Sequence, residues 1–421
     1  MTSQIDLAKR YSAIRGTTLG LAASLSEADC TVQSMPDASP VKWHLAHTTW
    51  FFETFVLERF ASPLGEFTPF DPSFRVLFNS YYNGVGEQYP RPQRGLITRP
   101  GMAEIERYRV FVDDEIGRLL SDPSSSNELA ERIELGLQHE QQHQELLLTD
   151  LKHALSFHPN GPVYRAPVDD ECEFEAAPFE WRGFDEGLVE VGSQAAGFSF
   201  DNERPRHRVF LEAFELASRP VTNAQWRAFI DDGGYRRPEL WLSDGWTTVQ
   251  AQEWRAPLYW RQRDGEWWTF TLGGLCPVRG PEPVCHVSYY EADAYATWSG
   301  ARLPREQEWE IAALGNPVEG NFVESRRLQP ASAPVDPHRR FGNLFGDVWE
   351  WTASPYTGYP GYRPLDGALG EYNGKFMADQ WVLRGGSCVT PRSHLRASYR
   401  NFFPAAARWQ FSGLRLARDR R

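Results

Sequence analysis

Two histidines stand one helical turn apart in the string His139-Glu140-Gln141-Gln142-His143, within a long segment that has the apolar periodicity of a helix. Side chains at positions i and i+4 project from one face of a helix, so this pair can chelate one metal ion. A third histidine, His47, lies on an earlier predicted helix between Trp43 and Trp50. Metal sites in helical bundles are built from side chains on facing helices. We therefore predict a metal centre whose ligands are His47, His139 and His143.

The spacing alone leaves the metal open, because imidazole ligands suit iron, copper and zinc. The string also matches the HExxH pattern of zinc proteases, in which the glutamate is a general base. Leu146 and Thr149, however, stand where the metzincin extension needs a glycine and a third histidine. The neighbouring His44 is a second histidine on the earlier helix. We assign it a local hydrogen bond or an outer role behind the ligands.

A long loop over residues 69–100 carries further polar groups that could act on a substrate. Tyr81 and Tyr82 are adjacent in it, and a phenol beside a metal can donate a proton, although paired tyrosines in loops often only pack. We predict that Tyr82 matters more than Tyr81. Arg91 and Arg94 follow, and two arginines can hold a carboxylate, although two solvated arginines are an equal alternative.

A C-terminal segment, Asn401-Phe402-Phe403, offers an amide and two aromatic faces. Such a combination suits a quaternary ammonium group. Taken alone, the same residues are better explained by a plain aromatic core.

These residues must be positioned by a helical first half and an irregular second half. Apolar periodicity predicts helices at 5–25, 41–60, 103–120 and 127–157, which together suit a four-helix bundle. Ser39 is expected to be the N-cap of the second helix, with Pro40 in its first turn. We place this bundle domain at 1–160, a linker rich in proline and acidic residues at 161–180, and an α+β domain at 181–421. Short helices are expected in that last domain at 223–230, 291–298 and 306–313.

The bulk composition excludes several classes of protein. A net charge of −12 over 421 residues disfavours nucleic acid as a partner. No apolar run approaches the length of a membrane span. The five scattered cysteines form no CxxC motif, which predicts reduced thiols in a cytoplasmic protein.

Taken together, the motifs resemble a known enzyme family. Trp43-His44-Leu45-Ala46-His47 with the paired histidines resembles the DinB-like bundle of the sulfoxide synthases of ergothioneine biosynthesis. The second half is similar to the formylglycine-generating-enzyme (sulfatase-modifying) domain, which is related to C-type lectin folds. Four segments carry that second similarity: 220–223, 301–310, 346–351 and 384–387.

The resemblance implies a mechanism and a set of roles. Such enzymes bind Fe(II) through three histidines and use O2 to join a thiol sulfur to C2 of the imidazole of hercynine, forming a sulfoxide. It implies that Gln142 lies near the imidazole, Asn401 and Phe402 near the trimethylammonium group, and Arg91 and Arg94 at the carboxylate of the thiol substrate. The paired tyrosines resemble the second type of these enzymes, in which loop tyrosines supply a proton.

Two departures from the family patterns refine this expectation. Thr390 and Leu395 stand where formylglycine-generating enzymes have two cysteines, so the second domain should lack that copper chemistry, and Cys388 should be structural. Phe403 stands where the branch that uses gamma-glutamylcysteine has an aspartate to hold an ammonium group. We therefore favour cysteine as the sulfur donor.

Three other functions compete with this expectation. The first is a sulfoxide synthase that uses unmethylated histidine, as in ovothiol synthesis. The second is a zinc-dependent thiol transferase or HExxH hydrolase that uses the bundle alone. The third is a binding module without catalysis, which the histidine cluster disfavours because a lectin-like domain needs no such bundle.

Overall fold

The helical half and the mixed half form separate compact units in a computed structural model of the chain. It describes residues 4–61, 67–122, 126–168, 176, 178–194, 197–332 and 339–420. The first unit comprises Met1–Phe157 and a short later segment, Asp366–Tyr372; the second comprises His158–Leu365 and Asn373–Arg421. The sequence analysis had placed the whole of 181–421 in one domain. The predicted linker at 161–180 lies in part outside the described residues.

The first unit is built on long helices whose positions match the predicted ones. Its helices are α1 (Gln4–Ala22), α2 (Glu27–Thr31), α3 (Val41–Phe52), α4 (Glu58–Phe60), α5 (Phe74–Leu77), α6 (Met102–Ser121) and α7 (Asn127–Ser156). A single π turn, Glu53–Leu57, joins α3 to α4, so the helix runs on to Phe60 as predicted. Helix α7 packs against α1 and α3, and α3 packs against α6. These three contacts confirm the bundle.

The prediction of Ser39 as an N-cap is wrong. The N-cap of α3 is Pro40, and no side chain caps the helix. The backbone N–H of Ser39 instead donates to Asp150, and its hydroxyl accepts from Arg94. Ser39 is thus bound to groups remote in the chain, because a buried side chain satisfies its polar atoms wherever partners are available.

The second unit combines short helices with small sheets. Its helices are α8 (Asn223–Asp231), α9 (Ser243–Ala251), α10 (Tyr289–Trp298) and α11 (Glu306–Ala313). Three of them match the predicted short helices, and α9 was not predicted. Helices α8 and α10 begin with capping boxes, Thr222 with Gln225 and Ser288 with Glu291.

The strands in the described part of the second unit fall into five small sheets. They are β1 (Trp181–Phe184), β2 (Gly187–Val191), β3 (His207–Leu211), β4 (Phe214–Ala217), β5 (Trp260–Arg263), β6 (Glu266–Thr271), β7 (Gly274–Pro277), β8 (Gly320–Asn321), β9 (Phe345–Gly346), β10 (Trp349–Pro355), β11 (Gln380–Arg384), β12 (Asn401–Pro404), β13 (Ser412–Gly413) and β14 (Ala417–Asp419). The largest sheet has the order β12-β11-β10-β13, and a second has the order β1-β4-β14. The chain is therefore an α+β protein, with a helical first part and a mixed second part, as predicted.

Among the described residues, no helix is long and apolar enough to cross a membrane.

Candidate metal centre

Three histidines from two packed helices meet in the interior of the first unit. His47 comes from α3, and His139 and His143 come from successive turns of α7. One ring nitrogen from each can be chosen so that all three lie within 4.8 Å of one another. The approach of the helices depends on Gly136, one turn before His139, since a Cβ there would lie 2.5 Å from a ring carbon of Phe52. The structure thus brings together the three predicted ligands.

The ring nitrogens of this cluster include several without protein partners. His47 donates from Nδ1 to the carbonyl oxygen of Phe78 at 2.6 Å, which turns its Nε2 to the centre. Neither that Nε2 nor either nitrogen of His139 has a hydrogen-bond partner among the described residues. A buried polar atom left unpaired costs about 1–3 kcal/mol. A metal ion would accept these lone pairs, so the residues present fit a metal.

Burial also sets the protonation state of the three rings. Desolvation lowers the pKa of His47, His139 and His143 well below the ordinary value, and the mutual proximity of the imidazoles acts in the same direction. The neutral imidazole is the form that binds metals, so the site is prepared for a cation at physiological pH.

Aromatic side chains hold the ligand rings in place. The ring of His47 lies between two indoles, stacked on Trp43 at 4.5 Å and on Trp50 at 5.5 Å between centroids. The ring of His139 packs against Phe51 at 4.4 Å. Because these neighbours are buried, the ligands have few alternative rotamers, which is the preorganisation that a metal site needs.

His44 lies behind the cluster and outside the group of three. Its Nδ1 is 2.8 Å from Nδ1 of His143, and its Nε2 is 3.1 Å from Oδ2 of Asp150. Burial raises the pKa of Asp150 to about 7, while the N–H of Ser39 and the charge of Arg91 act in the opposite direction. The carboxylate is therefore ionised at mildly alkaline pH.

Glu140, the glutamate of the HExxH string, points away from the centre. Its carboxylate is fully buried and accepts from Arg15 at 2.9 Å and from Arg109 at 2.8 Å. Although burial acts to raise it, these two guanidinium groups lower the pKa of Glu140 to about 2. A carboxylate held by two arginines is a poor general base at neutral pH, and the pairing argues against the zinc hydrolase alternative.

The loop tyrosines lie beside the aromatic wall of the site. Asn79 fixes the turn, since its Oδ1 accepts from the N–H of Tyr82 and its Nδ2 donates to the carbonyl of the same residue, both at 3.0 Å. The ring of Tyr82 is buried, 5.6 Å from that of Trp50, and Tyr81 stacks on it from a half-buried position. Burial raises the pKa of Tyr82 well above its usual value, so the phenol keeps its proton.

Tyr372 is a site residue that the sequence analysis missed. Its ring lies 5.5 Å from that of His139, and its hydroxyl donates to Oε1 of Gln142. The preceding residue, Glu371, accepts from the backbone N–H of Gly84 at 2.7 Å in the tyrosine loop. No spacing pattern in the sequence links Asp366–Tyr372 to the bundle. The available signal was a tyrosine in a glycine-rich segment, two residues from both Gly370 and Gly374.

The two predicted carboxylate-binding arginines occupy different environments. Arg94 is only 4% exposed, and its guanidinium carbon lies 3.4 Å from the centre of the Trp43 ring. It donates to the hydroxyl of Ser39 at 2.9 Å. Arg91 is exposed and donates to the carbonyl of Asp37. Their role as a pair holding a substrate carboxylate remains a prediction.

The predicted ammonium-binding residues belong to the second unit. Asn401, Phe402 and Phe403 form most of β12. The ring of Phe402 stacks on Tyr356 at 4.0 Å, and Phe403 meets Trp409 edge-on at 5.9 Å. These contacts describe an aromatic cluster, and the role of its residues toward a substrate stays a prediction.

The positions of the formylglycine-generating cysteines carry packing groups. Thr390 is fully buried, and its hydroxyl accepts from the N–H of Ser387 at 2.8 Å. Leu395 packs so closely on Gly386 that a Cβ there would lie 2.3 Å from it. Cys388 is buried. Cys30, Cys276, Cys285 and Cys388 form no disulfide with one another, and Cys172 lies outside the described residues.

Comparison with family models places a known family on each part of the chain. Residues 10–147 match the DinB superfamily. Residues 176–338 and 338–420 match the sulfatase-modifying factor enzyme 1-like domain. Both matches agree with the expected order of the two domains.

Similar proteins cover either the whole chain or its second half. The hercynine oxygenase of Mycobacterium tuberculosis is 32% identical over the full length of both chains, and that of Mycolicibacterium smegmatis is 31% identical over the same span. The formylglycine-generating enzyme of Bos taurus is 28% identical over 49% of this chain and 65% of its own. The histidine centre in the bundle and the full-length similarity lead to one conclusion: the chain belongs to the hercynine oxygenases, the sulfoxide synthases of ergothioneine biosynthesis.

Proposed function

We propose that this protein is an O2-dependent non-haem Fe(II) enzyme that joins the sulfur of cysteine to C2 of the imidazole of hercynine as a sulfoxide. The observation that carries the proposal is the buried group of His47, His139 and His143, with unpartnered nitrogens, in a chain similar to hercynine oxygenases over its full length. The reaction balances without an added reductant. One oxygen atom enters the sulfoxide, and the other leaves as water with the thiol hydrogen and the C2 hydrogen.

Bound Fe(II) would supply the reduction of O2 and would hold both substrates at one centre. Three neutral imidazoles leave coordination positions open for the thiol, the imidazole and O2. His47, through its Nε2, and the rings of His139 and His143 on α7 would hold the metal. The buried wall of Trp43, Trp50 and Phe51 excludes water from one side of the centre.

Tyr372 and the loop tyrosines Tyr81 and Tyr82 are the candidate proton donors of the bundle unit. The hydroxyl of Tyr372 is held by Gln142, and its ring approaches His139, so it is better placed than either loop tyrosine. Tyr82 packs behind Trp50 and keeps its proton through burial. We propose that Tyr372 delivers the proton and that Tyr82 maintains the wall.

Cysteine is preferred as the donor because Phe403 offers no charge to an ammonium group. The ring of Phe403 packs on Trp409. In the same strand, Asn401 accepts a hydrogen bond from the N–H of Phe402. In gamma-glutamylcysteine the cysteine amine is an amide, and the charged amino group lies at the far end of the glutamyl part, where a phenyl ring cannot pair it as a carboxylate does. Free cysteine carries its ammonium group beside the sulfur and places no charge there.

The decisive experiment measures O2 uptake and product mass with Fe(II), hercynine and either cysteine or gamma-glutamylcysteine. We expect O2 consumption and the hercynylcysteine sulfoxide, with cysteine used at least about tenfold more efficiently, which corresponds to about 1.4 kcal/mol. One zinc per chain with no O2 uptake would reject the proposal. Faster turnover of histidine than of hercynine in competition would favour the ovothiol-type alternative.

The proton donor is tested with three single substitutions. Tyr372→Phe should shift the product from sulfoxide toward the sulfinic acid of the thiol, because loss of a positioned acid slows the step that needs a proton by about 10²–10⁴-fold. Tyr82→Phe should have a smaller effect, and Tyr81→Phe is the matched control. Unchanged product ratios in all three variants would refute a role for these phenols.

A further inference from the structure

A buried chain of hydrogen bonds runs away from the metal centre behind His143. It begins at Nδ1 of that ring, passes through both nitrogens of His44, and ends at Oδ2 of Asp150, with separations of 2.8 and 3.1 Å. All three side chains are buried. Asp150 lies two turns beyond His143 on α7, and His44 faces both from α3.

The protons of this chain have one arrangement that is compatible with a metal on His143. An ionised Asp150 can only accept, so Nε2 of His44 carries a proton and donates to it. A neutral His44 then has a lone pair on Nδ1, which accepts from Nδ1–H of His143. That leaves the lone pair of His143 on Nε2. The carboxylate thus selects the tautomer of the ligand through an intervening imidazole.

The far end of the chain is fixed by its own partners. The N–H of Ser39 donates to the same oxygen of Asp150 at 2.7 Å, and the hydroxyl of Ser39 accepts from Arg94. The guanidinium of Arg94 lies on Trp43, which in turn stacks on His47. One connected set of contacts therefore reaches two of the three predicted ligands.

We propose that His44 and Asp150 are positioning residues, which hold His143 in its Nδ1–H tautomer with Nε2 toward the metal and so set the affinity of the centre. The inference rests on the proposed function only in placing a metal at the three histidines. A partner behind a ligating histidine fixes its ring and raises its basicity, and removing such a partner costs about 10–100-fold in metal affinity.

The test measures the equilibrium affinity of the protein for Co(II) at pH 8. The visible absorption of the bound ion reports binding, and a chelator competes for the metal. His44→Phe removes the acceptor and should weaken binding by about 10–100-fold. His44→Asn retains an oxygen near the position of Nδ1 and should recover part of the loss. Asp150→Asn keeps the shape without the charge and should fall between the wild type and His44→Phe.

His153→Gln is the matched control, since His153 also lies on α7 and bonds to a serine, Ser34, at 2.7 Å without touching a ligand. Its Co(II) affinity should equal that of the wild type. Affinities of His44→Phe and Asp150→Asn within about twofold of the wild type would overturn the proposal.

A second measurement needs no folded variant at His44. Nitrogen NMR of the metal-free protein with labelled histidine reports which ring nitrogen is protonated, and a His143→Asn spectrum assigns the signal. We expect His143 as the Nδ1–H tautomer. A dominant Nε2–H signal would refute the relay whatever the variants do.

These outcomes separate the inference from the proposed function. If Co(II) binding weakens as expected but no sulfoxide forms, the positioning role stands and the substrate assignment fails. If sulfoxide forms at the wild-type rate and His44→Phe binds metal normally, the positioning role alone fails.

Discussion

Each unit buries strongly polar groups, yet it satisfies them differently. In the second unit, Glu350 and Arg415 are fully buried and bond to each other, and Trp309 donates to the same carboxylate at 2.7 Å. In the bundle, His47 and His139 are equally buried, and three of their nitrogens face no partner in the described part of the chain. The first arrangement holds a fold together, and the second prepares a place for a cation.

The difference follows from how the cost of desolvation is offset. A buried ion pair recovers that cost from its own attraction and hydrogen bonds. Neutral imidazoles that face one another recover nothing, so their arrangement persists only if packing enforces it or a ligand completes it. Here Trp43, Trp50 and Phe51 supply the packing.

The contrast depends on the neighbours of each buried group and is not a property of the units. Glu140 belongs to the bundle and stands next to a predicted ligand, yet Arg15 and Arg109 satisfy it completely. His394 belongs to the second unit and is as buried as His139, but its Nε2 lies 2.9 Å from the hydroxyl of Tyr399. The same residue type thus takes either role according to its neighbours.

The largest effect is expected when one buried histidine in each unit is replaced by alanine. His139→Ala should abolish metal binding and lower activity by more than about a hundredfold. Removing only a hydrogen-bond partner behind a metal ligand already costs about 10–100-fold in metal affinity or activity. His394→Ala should keep the full metal content per folded chain. Metal analysis and O2 uptake on both variants test this, and metal loss in His394→Ala would break the comparison.

A large loss of stability without loss of metal is expected at Glu350. Glu350→Ala leaves Arg415 buried without its partner and should reduce the free energy of unfolding by about 3–5 kcal/mol. The surface pair of Glu319 and Arg339 gives the control, since Glu319→Ala should cost less than about 1 kcal/mol. Denaturant unfolding and metal content per folded chain measure both quantities. A change in metal content in the folded Glu350 variant would contradict the separation.

Glu140→Gln should have an intermediate effect, which also tests the hydrolase alternative. Replacing the acceptor of two charged hydrogen bonds by an amide should cost about 2 kcal/mol at neutral pH, while the metal is retained. The folded pKa of Glu140, about 2, lies below its ordinary 4.5. The advantage of the wild type is therefore present above about pH 4.5 and is lost as the pH falls toward 2. Unfolding curves of both proteins from pH 3 to 7 check the sign, and a difference independent of pH would disprove the ionic role.

The smallest effect is expected from a substitution at Asp347, a buried carboxylate that accepts hydrogen bonds from amide groups. Asn321 donates to it at 2.8 Å and Asn343 at 2.6 Å, and burial raises its pKa to about 6. Because the folded pKa lies above the ordinary 3.8, the wild type should lose stability as the pH rises from about 4 through 6. Asp347→Asn should not show this loss and should differ from the wild type by about 1 kcal/mol. Thermal unfolding of the wild type and of Asp347→Asn across that pH range measures the difference in stability. If the wild type gains stability as the pH rises, the hydrogen bonds from the amides outweigh the effect of burial on the pKa of Asp347.

Much of the bundle was predictable because its information is local. Helix periodicity fixed α1, α3, α6 and α7 to within a few residues, and the i, i+4 spacing put His139 and His143 on one face. His47 belongs to the group of three histidines and His44 bonds to the ring of His143 from behind, while the ligand role of the three stays a prediction. Capping failed at Ser39, because its hydroxyl accepts from Arg94, a residue remote in sequence.

The amino-acid sequence by itself determined the two-part architecture, the family and the three histidines, since repeating periodicity and short motifs are encoded between near neighbours. Only the tertiary structure decided that Asp366–Tyr372 joins the bundle unit and carries Tyr372 to His139. It also decided that Glu140 is bound by two arginines and that Asp150 reaches His143 through His44. These contacts join residues far apart in the chain, and the hydrogen bonds that satisfy a buried polar group depend on which partners folding brings within reach, which no local spacing records.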